Sequence, residues 1–236
     1  MTASPLPLVL LPGLVNDERV YAQVRSWLVD AAEPVVADLG GADTMAALAE
    51  GVLDRAPRTF ALAGLSMGGY CALEVVHRAP ERVAALALID TSARPDTAES
   101  RANRERQIAR ARAGEYEALV DELVPKWIHP SRLEDPSVAD VVRAMARERG
   151  AETFERQQRA IMSRADSRPR LAAIRCPTVV VCGADDALMP REIHEELAQA
   201  IDGAKLVVVP DCGHLAPLER PADVAAALVE LLQRAR

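Results

Sequence analysis

The sequence predicts a doubly wound, mainly parallel α/β sheet of about six strands, with helices on both faces and a helical insertion after the fourth strand. Three observations predict it. Short, continuous apolar runs alternate with amphipathic stretches, the pattern of buried parallel strands joined by helical crossovers. That rhythm stops between about Arg94 and Arg170, where no strand-like run occurs, and then resumes. In "FALAGLSMGGYCALEV", three glycines, Gly64, Gly68 and Gly69, crowd one serine where a strand gives way to a helix. Glycine in a helix costs about 1 kcal/mol relative to alanine, so this turn needs the missing side chains.

Taken in order, Leu6–Leu11 reads as the first core strand. The opening "MTASPLPLVLLPG" lacks the positive n-region of a signal peptide and runs straight into a turn. A helix over 16–32 leads to a strand at 34–38. Asp43 and Thr44 start a helix over 43–56, followed by a strand at 59–64, a helix over 67–79 and a strand at 83–90. The insertion opens on Asp96-Thr-Ala-Glu99, a capping box leading into a long charged helix. Asp135-Pro136 starts a second helix that ends near Gly150, a third runs from Ala151 to about Arg164, and Asp166-Ser-Arg-Pro169 caps a short returning helix. The sheet resumes with Thr178–Gly183, a helix over 191–201, a strand at 205–210 and a helix over 221–235, with Pro221 at its first position. The expected division is a sheet core of residues 1–93 and 171–236 and a helical unit of residues 94–170. There is no internal repeat and no low-complexity linker.

Composition narrows the function. A net charge of −7 argues against a phosphate-backbone partner, and two Trp, three Tyr and two Phe are too few for base-stacking platforms. No apolar run approaches the roughly 18 residues that span a membrane. Cys71, Cys176, Cys182 and Cys212 form no C-x-x-C pair and no disulfide framework, which points to a reducing, cytoplasmic setting.

Gly64-Leu65-Ser66-Met67-Gly68 matches G-x-S-x-G in the strand–turn–helix context that the pattern requires. A serine lifted above a sheet on so tight a turn adopts a strained backbone, and residues two before and two after it approach too closely for Cβ atoms. The same turn aims the Met67 N–H, at a helix N-terminus, toward a developing oxyanion. The bland alternative is a glycine-rich turn with an incidental serine. Phosphate-loop patterns are absent. A serine needs a base and an orienting carboxylate. Asp185 and Asp186 follow the strand at 178–183, at a carboxyl end where ligand groups gather, and His214 follows the last strand, near Asp211. His77 and His194 fall on predicted outer helices as solvated residues, and His129 precedes Pro130 as a helix-end residue. His194-Glu195 lacks the second histidine of H-E-x-x-H, and Cys212-Gly-His214 offers two ligands without companions, so no metal or cofactor is expected.

With these motifs in the order Ser, Asp, His, the chain resembles the α/β-hydrolase superfamily over nearly its whole length. That resemblance implies an α/β-hydrolase core lacking the N-terminal hairpin, with residues 94–170 as a small helical cap. "GADDALMP" resembles the family's Gly-x-x-Asp-x-x-x-Pro and selects Asp186; "GHLAPLERP" resembles Gly-His-x-x-x-x-Glu-x-Pro and selects His214. "LPGLVND" resembles the segment after the first oxyanion strand and implies Leu14 as the second N–H donor beside Met67, although a histidine often precedes the glycine there. A serine nucleophile disfavours the haloalkane dehalogenase and epoxide hydrolase branches. "LIDTSARPDTAESRANR", "WIHPSRLEDP" and "AIMSRADSRPRLAAIRCPT" are most similar to the enol-lactonase group and its small esterase relatives.

The expected activity is a cofactor-free serine hydrolase, monomer or homodimer, that cleaves a small, mostly apolar carboxylic ester or lactone. Trp127, Ile128, Phe154, Ile161 and Met162 are the residues expected nearest a substrate; the alternative is that they bury the helices against the sheet unit. Arg101, Arg104, Arg106, Arg110 and Arg112 are interleaved with Glu99 and Glu105, so a solvated helix face is the stronger reading and attraction of a carboxylate the weaker. Rival functions are a C–C bond hydrolase or lyase using the same three residues, and a ligand sensor with negligible turnover.

Overall fold

The inner strands are runs of apolar residues because both of their faces are buried. The computed structural model describes residues 6–235; residues 1–5 and Arg236, the outer ends of the predicted core unit, lie outside them. The elements run β1 (Leu6–Leu11), α1 (Ala22–Trp27), β2 (Ala32–Val36), α2 (Met45–Arg55), β3 (Phe60–Leu65), α3 (Met67–Arg78), β4 (Val83–Ile89), α4 (Ala98–Arg110), α5 (Tyr116–Trp127), α6 (Ala139–Ser163), β5 (Thr178–Gly183), α7 (Arg191–Ala200), β6 (Lys205–Val209), the single turn α8 (Ala216–Glu219) and α9 (Pro221–Arg234). The described strands form one open sheet in the order β2-β1-β3-β4-β5-β6, and every pairing is parallel.

Side chains alternate between two cores, as the period of a strand requires. Leu8, Leu10, Ala61 and Ala63 pack on the face covered by α1 and α9, with Val24, Leu228 and Leu231. Val9, Leu11 and Leu62 pack on the other face, against Leu48 of α2, Leu73 of α3 and Leu197 of α7. From β1 the chain moves outward to β2, then returns across β1 to β3 and continues the other way. The carboxyl ends of β1 and β3 therefore flank the topological switch point, where ligands bind in open α/β sheets.

Several boundaries differ from the sequence reading. The helix expected over 16–32 is a 3-10 turn at Glu18–Tyr21 followed by the short α1, because Asp17 caps the turn through the Arg19 N–H (3.0 Å). β2 begins earlier than expected; as an edge strand it tolerates Pro34, which has no N–H to donate. The long charged helix is two helices, since Gly114 takes φ +87° between α4 and α5. Thr97, not Asp96, caps α4, its Oγ1 accepting from the Ser100 N–H (3.1 Å). Asp135 holds a turn through the Ser137 N–H (3.0 Å) instead of starting a helix, and α6 begins at Ala139. Gly150, at φ +77°, breaks α6 where the second predicted helix was expected to end.

Candidate active site

Ser66 sits between β3 and α3 at φ 52°, ψ −113°, a left-handed conformation that costs a non-glycine residue on the order of 1–3 kcal/mol. Its neighbours explain why the turn persists. A Cβ on Gly64 would run into the Gly68 backbone, and one on Gly68 into the Leu11 carbonyl. The backbone can close so tightly only with glycine at both positions. Ser66 is half-buried, and its side chain makes no capping hydrogen bond to α3; its carbonyl accepts from the Gly69 (2.9 Å) and Tyr70 (3.2 Å) N–H groups of the first turn.

Ser66 Oγ lies 2.8 Å from His214 Nε2, and His214 Nδ1 lies 2.7 Å from Asp186 Oδ2. Asp186 and His214 are each 5% exposed. The other Asp186 oxygen accepts from the Leu188 (2.8 Å) and Met189 (3.0 Å) N–H groups, which fixes the carboxylate plane. Asp185 points away: its side chain is 51% exposed and lies 3.7 Å from His129 Nε2. Asp211 pairs with Arg220 at the surface. The Glu of the histidine loop has a physical reason as well. Buried Glu219 accepts from the N–H groups on either side of His214, those of Gly213 and Leu215 (3.1 Å each), and from the His129 N–H (2.8 Å). The His214 N–H itself donates to the Trp127 carbonyl (3.1 Å).

Sequence reasoning missed Asp90 and misplaced His194. Asp90, at the end of β4, is fully buried and accepts from the Gly183 (2.9 Å) and Ala216 (3.0 Å) N–H groups, tying the Asp186 and His214 loops to the sheet. His194 is buried, not solvated; its Nε2 accepts from the Thr91 N–H (3.0 Å), and burial pushes its imidazole down to about 4. Periodicity places a residue on a helix face, but a polar residue on the inward face carries no apolar signal. Burial, reinforced by the Asp186 charge, holds the Asp90 carboxyl well above the usual carboxylate range. Burial disfavours charge on both Asp186 and His214, yet each outweighs it for the other. Asp186 lies below its ordinary value through His214 and its two N–H donors, and His214 above its own through the Asp186, Asp90 and Glu219 carboxylates.

Asp90, Asp186 and His194 offer atoms within 4.8 Å of one another, the one grouping of metal-ligand type among the described residues. Every carboxylate oxygen in it already accepts a hydrogen bond, and His194 is bonded at Nε2. The geometry is that of a hydrogen-bonded brace.

A cavity of about 270 Å³ opens over Ser66 and His214. Of the five residues expected near a substrate, Trp127 and Ile161 line it and Ile128, Phe154 and Met162 do not. Ile128 and Phe154 are buried in the core on the α1 and α9 side, where the Phe154 ring packs 5.6 Å from that of Tyr116; Met162 is buried without reaching the cavity. Leu14 lies in the lining beside Ser66, and Met67 is the first residue of α3. The loop carrying Leu14 is held by buried Gln157, which accepts from the Val15 N–H (2.7 Å) and donates to the Leu39 carbonyl (3.1 Å). The lining mixes apolar side chains with polar and charged ones. Arg104 and Arg164 reach it, whereas Arg110 and Arg112 pair with surface glutamates as a solvated face does.

Residues 8–227 match the Alpha/beta hydrolase family. The chain belongs to the alpha/beta hydrolase family. Among solved alpha/beta hydrolases it is similar to a thermophilic esterase from Thermogutta terrifontis, with a TM-score of 0.92 and 33% identity over 99% of this chain and 92% of the other. It is also similar to the enol-lactonase from Burkholderia xenovorans LB400, with a TM-score of 0.88 and 26% identity over 99% and 94% of the two chains. In sequence it is 27% identical to the pimeloyl-(acyl-carrier protein) methyl ester esterase of Aromatoleum aromaticum, over 96% of this chain and 98% of the other. It is 34% identical to the candidate carbamate hydrolase RutD of Klebsiella pneumoniae over 162 residues, 66% of this chain; the match spans 59% of that protein's length. None of the helices described in this alpha/beta hydrolase is long and apolar enough to cross a membrane.

Proposed function

We propose that the protein is a serine hydrolase that cleaves a small carboxylic ester or lactone through an acyl-enzyme on Ser66. The observation that carries this reading is the unbroken hydrogen-bond chain from Ser66 Oγ through His214 to Asp186, opening on a cavity. His214 Nε2 takes the Ser66 proton as Oγ attacks the carbonyl carbon, then returns it to the departing alkoxide; water repeats the sequence on the acyl-enzyme. Asp186 keeps the Nδ1–H tautomer and stabilises the imidazolium that forms. The Met67 and Leu14 N–H groups face the tetrahedral oxyanion, where losing one donor costs on the order of 3 kcal/mol of barrier. Residues 94–170 act as the cap of a core formed by residues 1–93 and 171–236. Relatives named for esters and an enol-lactone support the substrate class. The free cysteines suit a cytoplasmic setting.

The test is a fluorophosphonate, with intact mass measured on wild type and Ser66→Ala. One adduct on Ser66, absent from the folded variant, together with a loss of ester turnover on the order of 10⁴-fold or more, is the expected result. Turnover retained by Ser66→Ala overturns the reading.

A further inference from the structure

One side chain beside Ser66 is buried without a hydrogen-bond partner. Asn16 is 2% exposed, and its enclosed Oδ1 meets no donor among the described residues. An unpaired buried polar group costs stability, so the amide calls for a reason. It belongs to the turn that carries Leu14. The Asn16 N–H donates to the Gly13 carbonyl (3.2 Å), closing a turn whose third residue, Val15, sits at φ 47°. A β-branched residue in that left-handed region is strained. The bond from the Val15 N–H to Gln157 (2.7 Å) and the burial of the Val15 side chain hold the strain in place. Leu14 and Asn16 thereby stand together in the wall of the cavity that contains Ser66 and His214.

Gly13 sets how near the amide comes. A Cβ built there would lie 2.8 Å from Asn16 Oδ1 and 3.6 Å from the Ser66 Cβ, so amide and nucleophile crowd the same small space. That contact also orients the amide. Oxygen against a Gly13 Cα hydrogen is a weak C–H···O contact, whereas an NH₂ in its place would bury two donors. The nitrogen is therefore the open end, and it donates to no atom among the described residues. Asn16 also borders an outer cavity of about 370 Å³ whose wall includes Asp17, Asp38 and Glu148. Those carboxylates are taken by Arg19 and Arg149, and the amide donates to none of them. Its donor is left for an acceptor that arrives beside Ser66.

We infer that Asn16 is a catalytic residue whose Nδ2–H is a third donor to the oxyanion, beside the Met67 and Leu14 N–H groups. The inference rests on Ser66 as the acyl-accepting nucleophile. As Oγ bonds to the carbonyl carbon, its proton passes to His214 Nε2 and the C=O π pair moves onto the oxygen. That oxygen then carries a full charge and three lone pairs, one more than the planar carbonyl offered, and the amide serves the third. The pair returns to carbon as the bond to the alkoxide breaks and His214 protonates the departing oxygen. A bond made only in the tetrahedral state acts on kcat and leaves KM alone.

The experiment measures hydrolysis of p-nitrophenyl butyrate and inhibition by butyl trifluoromethyl ketone, which takes Ser66 Oγ at its carbonyl and holds an oxyanion there. Rates are taken per molecule labelled by fluorophosphonate. Asn16→Ala and Asn16→Leu are each expected to lower kcat on the order of 100-fold, with KM within about threefold, and to weaken the ketone by a similar factor. Leucine fills the space of the amide without an N–H, so a residue that only filled space would keep its rate in Asn16→Leu. Neither variant loses a side-chain hydrogen bond, so at least one is expected to unfold in urea no earlier than wild type. Asn16→Leu within about threefold of the wild-type kcat overturns the inference, as does a fall in kcat with ketone affinity unmoved. Two variants that both fail to fold, or both unfold earlier than wild type, overturn it by showing a structural need for the amide. Each of these leaves the hydrolase standing. If Ser66 takes the fluorophosphonate but the butyrate ester is not turned over, the labelling rate is read instead, since the phosphoryl oxygen takes the oxyanion's place. Labelling slowed at least about tenfold in both variants supports the third donor, and an unchanged rate overturns it. A wild type that takes no label overturns the serine-hydrolase reading and this inference with it.

Discussion

The loops at the carboxyl ends of the strands and the helices between β4 and β5 face one cavity but are built differently. At the strand ends, backbone does most of the holding. Ser66 is fixed by the close approach of Gly64 to Gly68, Asp186 by two N–H donors, and the His214 loop by Glu219 and Asp90 accepting N–H groups around it. On the helices, side chains hold side chains: Asp96, Arg104, Gln158 and Arg164 meet from α4, α6 and the segments beside them. The first arrangement tolerates little variation, because a backbone donor cannot be moved by substitution. The second changes with one side chain, so under the proposed function reaction chemistry is assigned to the strand ends and substrate choice to the helices.

The sharpest way to break this division is at the two neighbouring aspartates. Asp186→Asn is expected to lower kcat on the order of 10⁴-fold, because an amide supports the wrong imidazole tautomer. Asp185→Asn, exposed and outside the hydrogen-bond chain, stays within about threefold. Their pH profiles sharpen the contrast. His214 must be neutral to accept a proton and is held above its ordinary value, about 6.5. Wild-type kcat/KM therefore falls as pH drops through a point above that value. Removing the Asp186 charge takes away the largest influence opposing burial and leaves only the smaller ones of Asp90 and Glu219, so the residual activity of Asp186→Asn keeps its plateau to lower pH; an unshifted limb contradicts the assignment.

A smaller effect is expected from Asp96→Asn, which leaves the largely buried guanidiniums of Arg104 and Arg164 without their anion. Unfolding in urea is expected to show a loss of about 3 kcal/mol or more. A loss below 1 kcal/mol, on the order of an exposed pair, contradicts the buried cluster. The smallest belongs to Arg112→Ala, on the segment that follows α4. Its exposed pair with Glu155 is worth less than about 1 kcal/mol, and neither stability nor ester turnover is expected to move measurably.

The order of the strands along the chain, the serine turn, and the two loops that carry Asp186 and His214 were legible from residues alone. Apolar runs report burial directly, and glycines flanking a serine report a backbone too close for Cβ atoms; both signals lie within a few residues of one another. Choosing Asp186 over Asp185 needed the resemblance, because adjacent residues share composition and differ only in which way the loop turns them. The structure turns Asp186 in and Asp185 out through the Leu188 and Met189 N–H groups. The burial of His194, the brace at Asp90 and the inward turn of Arg104 were not legible, since each depends on a partner far along the chain. Arg104 had one sign in the sequence: Ser100, Asn103, Arg104 and Gln107 make a polar helix stripe without an acid, unlike the face that carries Glu99 and Glu105. That stripe looks like a solvated face until the breaks at Gly114 and Gly150 set how α4, α5 and α6 pack. Local patterning states which residues are buried and where the chain must bend; which charges meet inside is decided by the packing of elements distant in sequence.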